Sequence, residues 1–250
     1  DADLHIAFAG GGISRIDLAE DLKEERSKSL STSVNYVKAT HNYVYAFTIE
    51  GFYTRLDYAF YQDPAGEDAF GEVFVKRNGD GATVKGATME FRANLNQKVQ
   101  IESGLTLQES LYDEVVSYSD DLEARKEFLR TPNKYGYTTI NYTPSSRFNF
   151  AANLVHTGKM YLVHMGGAPE QENDEYLVSE VFNAIGLKAT YIQRIEKVGT
   201  KLEYSVGVKN LTNAYQNNFD TLKDRDSNFV YGPSMPRTVY VSLVLKSLSF

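Results

Sequence analysis

The chain has no cysteine and no tryptophan among its 250 residues. Without thiols, disulfide scaffolds, thiolate metal sites and thiol catalysis are excluded, while the cellular compartment stays open. No run reaches the roughly 18 apolar residues that a membrane helix needs, and the mean hydropathy is negative. That leaves strand-built membrane proteins untouched, because barrel strands carry a far weaker signal per segment. No Lys/Arg block is present and the formal charge is −7, so no nucleic-acid partner is expected. There is no G-x-x-x-x-G-K-S/T loop and no H-E-x-x-H helix. No catalytic triad or carboxylate pair stands out by spacing. The expectation is a protein that is not an enzyme and has no cofactor, and a missing motif weighs little toward it in a β-rich chain, which brings distant residues together. The chain starts at Asp1 without an initiator methionine, a basic segment or an apolar export core, so it reads as mature or as a piece of something longer.

Aromatics are what the composition does contain. Tyr 18 and Phe 14 supply the whole 13%. A tyrosine ring is apolar and its hydroxyl is wet, which suits a lipid–water boundary. It equally suits the surface of a soluble tyrosine-rich β-sandwich acting as a binding module.

Alternation with period two dominates. Val99, Ile101, Leu105, Leu107 and Leu111 fall on one face, against Gln100, Glu102, Thr106, Gln108 and Ser110. Phe148, Phe150, Ala152 and Leu154 repeat the pattern, as do Leu202, Tyr204, Val206 and Val208. Nine strands are expected, at about 29–40, 42–60, 72–95, 98–112, 134–144, 147–161, 178–194, 200–213 and 236–250, with a bulge at Gly79-Asp80-Gly81 in the third. Ahead of them lie a short strand from Leu4 to Ala9, a Gly10-Gly11-Gly12 break and a charged segment.

The connections alternate in length. Short ones lie near Thr40-His41, Leu95 to Gln97, Thr143 to Ser146 and Glu196 to Gly199; long ones lie near Gln62 to Gly71, Asp113 to Pro132, Met165 to Leu177 and Gln216 to Met235. A soluble sandwich has no reason to keep its long loops on alternate connections. A membrane barrel does, with tight turns on the periplasmic side and long loops outside. If the chain ends at the periplasmic face, all four long connections lie outside. The fold class expected is thus an all-β antiparallel transmembrane β-barrel portion.

Two segments then carry a resemblance. Asn210-Leu-Thr-Asn-Ala-Tyr215 is similar to the N-L-F-N-x-x-Y box of TonB-dependent outer-membrane receptors, and Tyr231-Gly-Pro-Ser-Met-Pro-Arg-Thr238 to their G-P-x-x-P-R-T box. Phe250 resembles the terminal aromatic that barrel-assembly machinery reads, and Asp21 to Ser27 resembles an N-P-N-L-K-P-E-x-S segment that precedes a strand. The family type is that of Bacteroidota, and the resemblance runs from about Asp17 to Phe250. There are departures: Thr212 replaces an aromatic or aliphatic residue, and Tyr215 comes one residue early. Lys246 shares the face of Val244, Leu248 and Phe250, which is costly if that face meets lipid near mid-depth.

The resemblance implies that residues 1–250 are the C-terminal part of the barrel, about 9–10 strands of roughly 22, with the plug domain absent from this chain. It also implies bacterial outer-membrane localisation and active import of a scarce nutrient, an iron–siderophore, haem or cobalamin. The implied partners are outer-membrane lipid, TonB acting through the missing plug, the small metal-chelate ligand and a surface lipoprotein. A passive porin is the rival among barrels.

The ligand-contact residues expected at the long loops are Tyr112, His164, Tyr176, Phe219 and Tyr231. Between the two readings of His164, a surface or interfacial histidine is favoured over a ligand contact. His41 falls in a periplasmic turn, His156 falls on the apolar face, and His5 lies near the start. Asp224-Arg-Asp226-Ser-Asn228 lacks the central glycine and closing glutamate of a calcium loop, so it reads as a solvated loop; no metal site is expected.

Overall fold

The computed structural model describes residues 6–9, 12–69, 71–167, 171–221, 226, 229–233 and 235–247. The strands are β1 (Ile6–Ala9), β2 (Gly12–Leu18), β3 (Arg26–Ala39), β4 (Tyr43–Asp57), β5 (Phe60–Asp68), β6 (Gly71–Asn78), β7 (Gly81–Leu95) and β8 (Val99–Val116). They continue with β9 (Arg125–Glu127), β10 (Lys134–Ser145), β11 (Phe148–Thr157), β12 (Tyr161–His164), β13 (Glu175–Val178), β14 (Phe182–Ile195), β15 (Thr200–Lys209) and β16 (Thr238–Ser247).

Nine strands build one antiparallel wall in the order β16-β15-β14-β11-β10-β8-β7-β4-β3, with β9 added beside β8. Each of the nine expected strands supplies one wall strand. β3 and β16 do not pair with each other, so the described wall is an arc and not a closed ring. Two smaller sheets flank the wall: β12-β13 sits in one long connection, and in β1-β2-β6-β5 another long connection pairs with the N-terminal strands β1 and β2.

The two faces of the wall differ as the alternation requires. Residues opposite each other in the ladder share a face. One face carries Leu30, Val34, Tyr36, Phe47, Ile49, Met89, Phe91, Leu107, Ile140, Tyr142, Phe148, Phe150, Leu187, Tyr191, Tyr204, Val206, Val241 and Leu243, all exposed. The other begins in β3 with Ser27, Ser29, Ser31, Ser33 and Asn35 and continues with Glu50, Glu90, Glu102, Thr106, Asn153, Lys188 and Ser205. An antiparallel wall this apolar on one side and this polar on the other has the fold of a transmembrane barrel, lipid-facing outside and polar within. Among the described residues no second sheet packs on the apolar face of the wall. At the short-turn end the apolar face carries Tyr43 stacked on Tyr45 with centroids 5.9 Å apart, then Tyr142 and Phe148. At the long-loop end it stops at paired charges: Lys28–Asp57 at 3.0 Å, Arg55–Asp57 at 3.4 Å, and Arg55 held by Asp113 through two hydrogen bonds.

Several boundaries differ from the sequence reading. The third expected strand is two: β7 belongs to the wall, while β6 leaves it for the small sheet. The cause is a hinge, not a bulge. Gly81 has φ +151°, and a Cβ there would sit 2.5 Å from the Leu56 carbonyl oxygen. Asp57 is opposite it, and the next residue, Tyr58, has φ +60° and ends β4 early, so the Gln62 to Gly71 loop is really the β5–β6 hairpin. Asn78 clasps the hinge, accepting from the Lys23 N–H at 2.6 Å and donating to the Lys23 and Tyr58 carbonyls. The charged N-terminal segment contains β2, which runs parallel to β6. Its periodicity is too short to stand out alone. β15 stops at Lys209, because Asn210 takes φ +48°. Lys246 shares the face of Val244 as expected, and that face is the polar one, where Nζ lies 2.9 Å from Glu203. His156 is on the apolar face as expected, bonded through Nδ1 to Asn183 at 2.8 Å. Phe250 and His5 lie outside the described residues.

Candidate functional site: the outer loop cluster

The four long connections, 58–80, 117–133, 158–181 and 210–237, gather at one end of the wall, opposite the short turns. The long connections have a compact apolar centre of their own: Met160, Leu162 and Phe229, with Leu177 and Tyr231 against them. Phe229 and Leu162 are essentially sealed from solvent, and each contributes about 1.5–3 kcal/mol of burial.

Around this centre the polar groups cross-link separate connections. The His164 ring stacks on Phe229 with centroids 3.8 Å apart. Its Nε2 lies 2.9 Å from Asp220 Oδ2; a carboxylate can only accept, so Nε2 carries the hydrogen. Asp220 also accepts the Asp226 N–H at 2.9 Å, and Asp226 accepts the Met165 N–H at 3.1 Å. Burial raises the Asp220 carboxyl, but the His164 and Asp226 hydrogen bonds outweigh it and hold that carboxyl below its ordinary range. Gln216, 5% exposed, donates to the Phe229 carbonyl and accepts the Tyr231 N–H at 2.8 Å.

The 117–133 connection joins the same cluster. Arg130 N–H donates to the Tyr161 carbonyl at 2.8 Å, and its guanidinium donates to the Val230 carbonyl at 2.9 Å. The Arg125 guanidinium lies over the Tyr176 ring at 4.3 Å and near Tyr161 at 5.0 Å. Ser119 donates to Asp174, which also accepts the Gly166 N–H at 2.6 Å. Burial pushes the Tyr118 hydroxyl well up and raises Tyr176 despite the pull of Arg125, so both stay neutral hydrogen donors at physiological pH.

Between the β5–β6 hairpin and this cluster lies a cavity of about 420 Å³ lined by Phe60, Tyr61, Phe74, Lys76, Tyr112, Tyr118, Arg130 and Asp226. Its walls are aromatic with a few charged groups, the composition of a small-molecule pocket. Tyr112 points into it from the polar face of β8, its ring 4.3 Å from Phe128. Val163 and Met165 line the cavity on either side of His164, whose own ring is 6% exposed and held in the clasp. Tyr176 donates to the Glu123 carbonyl and Tyr231 to Asn218, while Phe219 is 49% exposed and outside the cavity. Sequence reasoning missed Phe229, Gln216, Asp220, Arg125 and Tyr118. Their importance comes from partners far along the chain, and no local pattern marks them. Among the described residues no His/Cys/Asp/Glu group of metal-binding form is found.

The two boxes near the C-terminus form one clasp. Asn210 donates to the Ala214 and Met235 carbonyls and accepts the Ala214 N–H. Asn213 accepts the Arg237 N–H at 2.9 Å, and the Arg237 guanidinium donates to the Leu211 carbonyl at 2.8 Å.

A one-sided wall with all long loops at one end and a polar interior is a piece of an outer-membrane-type barrel. Comparison with solved structures narrows the class. The ferric-catecholate import receptor Fiu of E. coli K12 matches with TM-score 0.59 and 16% identity, over 91% of this chain and 28% of that one. The ferripyoverdine receptor of the outer membrane of Pseudomonas aeruginosa, bound to ferripyoverdine, matches with TM-score 0.61 and 15% identity, over 89% and 27%. The copper transporter OprC matches with TM-score 0.59 and 12% identity, over 90% and 32%. This chain therefore spans less than a third of the length of these structures. No family model and no curated protein sequence matches it. The fold is that of part of a TonB-dependent receptor barrel.

Proposed function

We propose that this chain is the C-terminal barrel wall, with its outer loops, of a TonB-dependent transporter in the bacterial outer membrane. Its cargo is a scarce nutrient bound as a metal chelate, an iron–siderophore, haem or cobalamin. The observation that carries the reading is the wall itself, with an apolar band on one face and every long connection at one end. The structures it resembles over about nine-tenths of its length are import receptors and a metal transporter by name.

In this reading the chain does no covalent chemistry. The apolar face meets lipid, and the cluster around the 420 Å³ cavity receives the ligand. Tyr112 faces the cavity directly, and Lys76 and Arg130 supply positive charge at its wall. Tyr176, Phe219 and Tyr231 offer aromatic surface beside it, and His164 becomes available only when the clasp to Asp220 opens. A plug domain elsewhere in the full-length protein closes the barrel and transmits the pull of TonB, Phe250 serves barrel assembly, and a surface lipoprotein is a partner at the outer loops.

The test is uptake by cells carrying the full-length gene. Iron–siderophore, haem, cobalamin and copper are supplied singly at limiting concentration, with and without TonB. One of them is expected to accumulate only when both the gene and TonB are present. Uptake that persists without TonB would favour a passive pore. A protein that dissolves without detergent, with no heat-modifiable gel mobility, would sink the reading altogether.

A further inference from the structure

The apolar face of the wall is not evenly filled. Across β11, β14 and β15 two rows of residues stand opposite one another in the ladder, Ala152–Leu187–Val208 and Phe150–Ala189–Val206. Each row sets one alanine beside larger neighbours, so the surface dips at Ala152 and at Ala189. The dips are recesses of about 530 Å³ and 560 Å³ that share Phe150, Ala189 and Val206, and together they make one groove. Its ridges, Phe150 and Val206, are both exposed. They stand on the strands either side of Ala189, two ladder spacings or about 9.6 Å apart. Once their own side chains take up part of that width, the slot admits one hydrocarbon chain.

The depth of the groove follows from β14. Its apolar face runs between Asn183 at the long-loop end and Gln193 near the short turn. Ten steps at about 3.3 Å, reduced by a tilt of about 40°, again give a band of ~25 Å. Ala189 lies one step past the middle, so the groove reaches mid-depth and descends toward the short turns. Tyr191 and Tyr204 line its lower end, where the Tyr204 hydroxyl donates to Gln193 at 3.2 Å. Cations stand just below. Arg147 precedes Phe148, a residue of the groove wall, and its carbonyl accepts the Ile192 N–H at 2.8 Å. Lys197 lies further out in the 196–198 turn. Both are exposed, and neither has a carboxylate within ion-pair distance among the described residues.

We infer that this groove holds an acyl chain of one phospholipid, drawn from the leaflet nearer the short turns, with its phosphate set against Arg147 and Lys197. The chain runs up from the headgroup and ends near Ala189, having crossed one leaflet. Seated in the slot, it touches the recessed alanines and both ridges, contacts that a chain lying over the ridges would forfeit. The phosphate accepts charge-assisted hydrogen bonds from cations that otherwise lack a partner. A transmembrane helix, about 10–12 Å across with its side chains, is too wide to enter. The inference rests on the barrel reading, which turns this face to lipid and makes the short-turn leaflet the periplasmic one.

The test uses full-length protein reconstituted in vesicles of phosphatidylethanolamine and phosphatidylglycerol in equal parts, extracted in mild detergent and weighed intact by native mass spectrometry. Wild type is expected to retain phospholipid, and Ala189→Phe, which fills the slot, to retain one molecule fewer. Met89→Phe, at an exposed position of the same face, is expected to keep the wild-type number. Phosphatidylglycerol should be favoured about threefold over phosphatidylethanolamine, and Arg147→Gln combined with Lys197→Gln should erase that preference. A second measurement needs no variant: phosphatidylglycerol with a photoactivatable group at its chain end is expected to label peptides holding Ala189 and Val206 ahead of the peptide holding Met89. Equal labelling of the three overturns the inference, since it would mean ordinary surrounding lipid. So does an unchanged lipid count in Ale189→Phe or a preference that survives the loss of both cations. A heat-modifiable preparation with these outcomes fails this inference alone; a preparation without heat-modifiable mobility fails the barrel reading.

Discussion

Placing an arginine at Ile49 measures which face of the wall meets lipid. In β4 the apolar face runs from Tyr43 to Tyr53 before the charged rim at Arg55. Ten residue steps at about 3.3 Å give ~33 Å along the strand. A barrel tilt of about 40° reduces that to ~25 Å, the height of a lipid-facing band. Ile49 stands one step past the midpoint, within ~3 Å of mid-depth. It is 43% exposed, with Val34 and Met89 opposite, so no side chain shields it. Ile49→Arg is therefore expected to cost about 2–4 kcal/mol, a roughly 30- to 700-fold shift in the folded ratio. Thr48→Arg, one step away, points to the polar side beside Glu90 and is expected to be near neutral. The chain has no tryptophan, so unfolding in lipid vesicles is followed by gel heat-shift and far-ultraviolet circular dichroism against urea. A neutral Ile49→Arg together with a damaging Thr48→Arg would reverse the assignment of the faces and refute the reasoning.

Three other outcomes follow from the loops. Phe229→Ala is expected to remove about 3–5 kcal/mol from the loop centre, seen as faster protease cleavage of the 210–237 connection while the barrel keeps its heat-shift. Asp220→Ala leaves the His164 ring buried without its acceptor, at about 1–3 kcal/mol, and should open the same connection. Because the Asp220 carboxyl is held below its unfolded value, its contribution is complete above the ordinary carboxylate range and is lost as pH falls through the lowered value. Protease sensitivity in wild type should thus rise on strong acidification and stay flat in Asp220→Ala. Asn210→Ala removes three hydrogen bonds of the box clasp, about 2–4 kcal/mol in all, and should lower the heat-shift midpoint, whereas Leu211→Ala at a 39% exposed position should not.

The wall was legible because its signal is local. In β8, five apolar residues on alternate positions suffice to define a strand and its face, and the alternation of short and long connections gives the strands a direction. What the sequence could not show is anything that depends on contacts between distant positions. His164 meets Asp220 across 56 residues and Ser119 meets Asp174 across 55. The hinge at Gly81 was read as a bulge for the same reason: a glycine pair inside a run of alternation looks alike in both cases, and only the partner of β6 distinguishes them. A two-residue period puts Lys246 on the face of Val244 and does not say whether that face is wet. Glu203, on the neighbouring strand, decides it.

The two C-terminal boxes show how a motif known only by resemblance acquires a physical reason. They lie 25 residues apart at Asn210 and Met235, yet they form a single hydrogen-bonded unit. Asn210 can take a left-handed conformation at φ +48° at modest cost, which ends β15 and turns its amide toward Met235. Asn213, also left-handed at φ +53°, presents its side-chain oxygen to the Arg237 N–H. The arginine returns to Leu211, so each box caps the other where the last hairpin of the wall opens into its loop. Thr212 departs from the family pattern without breaking this clasp. Its hydroxyl lies 2.5 Å from the Asn183 carbonyl and 3.3 Å from the Asn210 side-chain oxygen, tying the clasp to β14. Among the positions that match the family, Asn210, Asn213 and Arg237 are those whose side chains close the clasp.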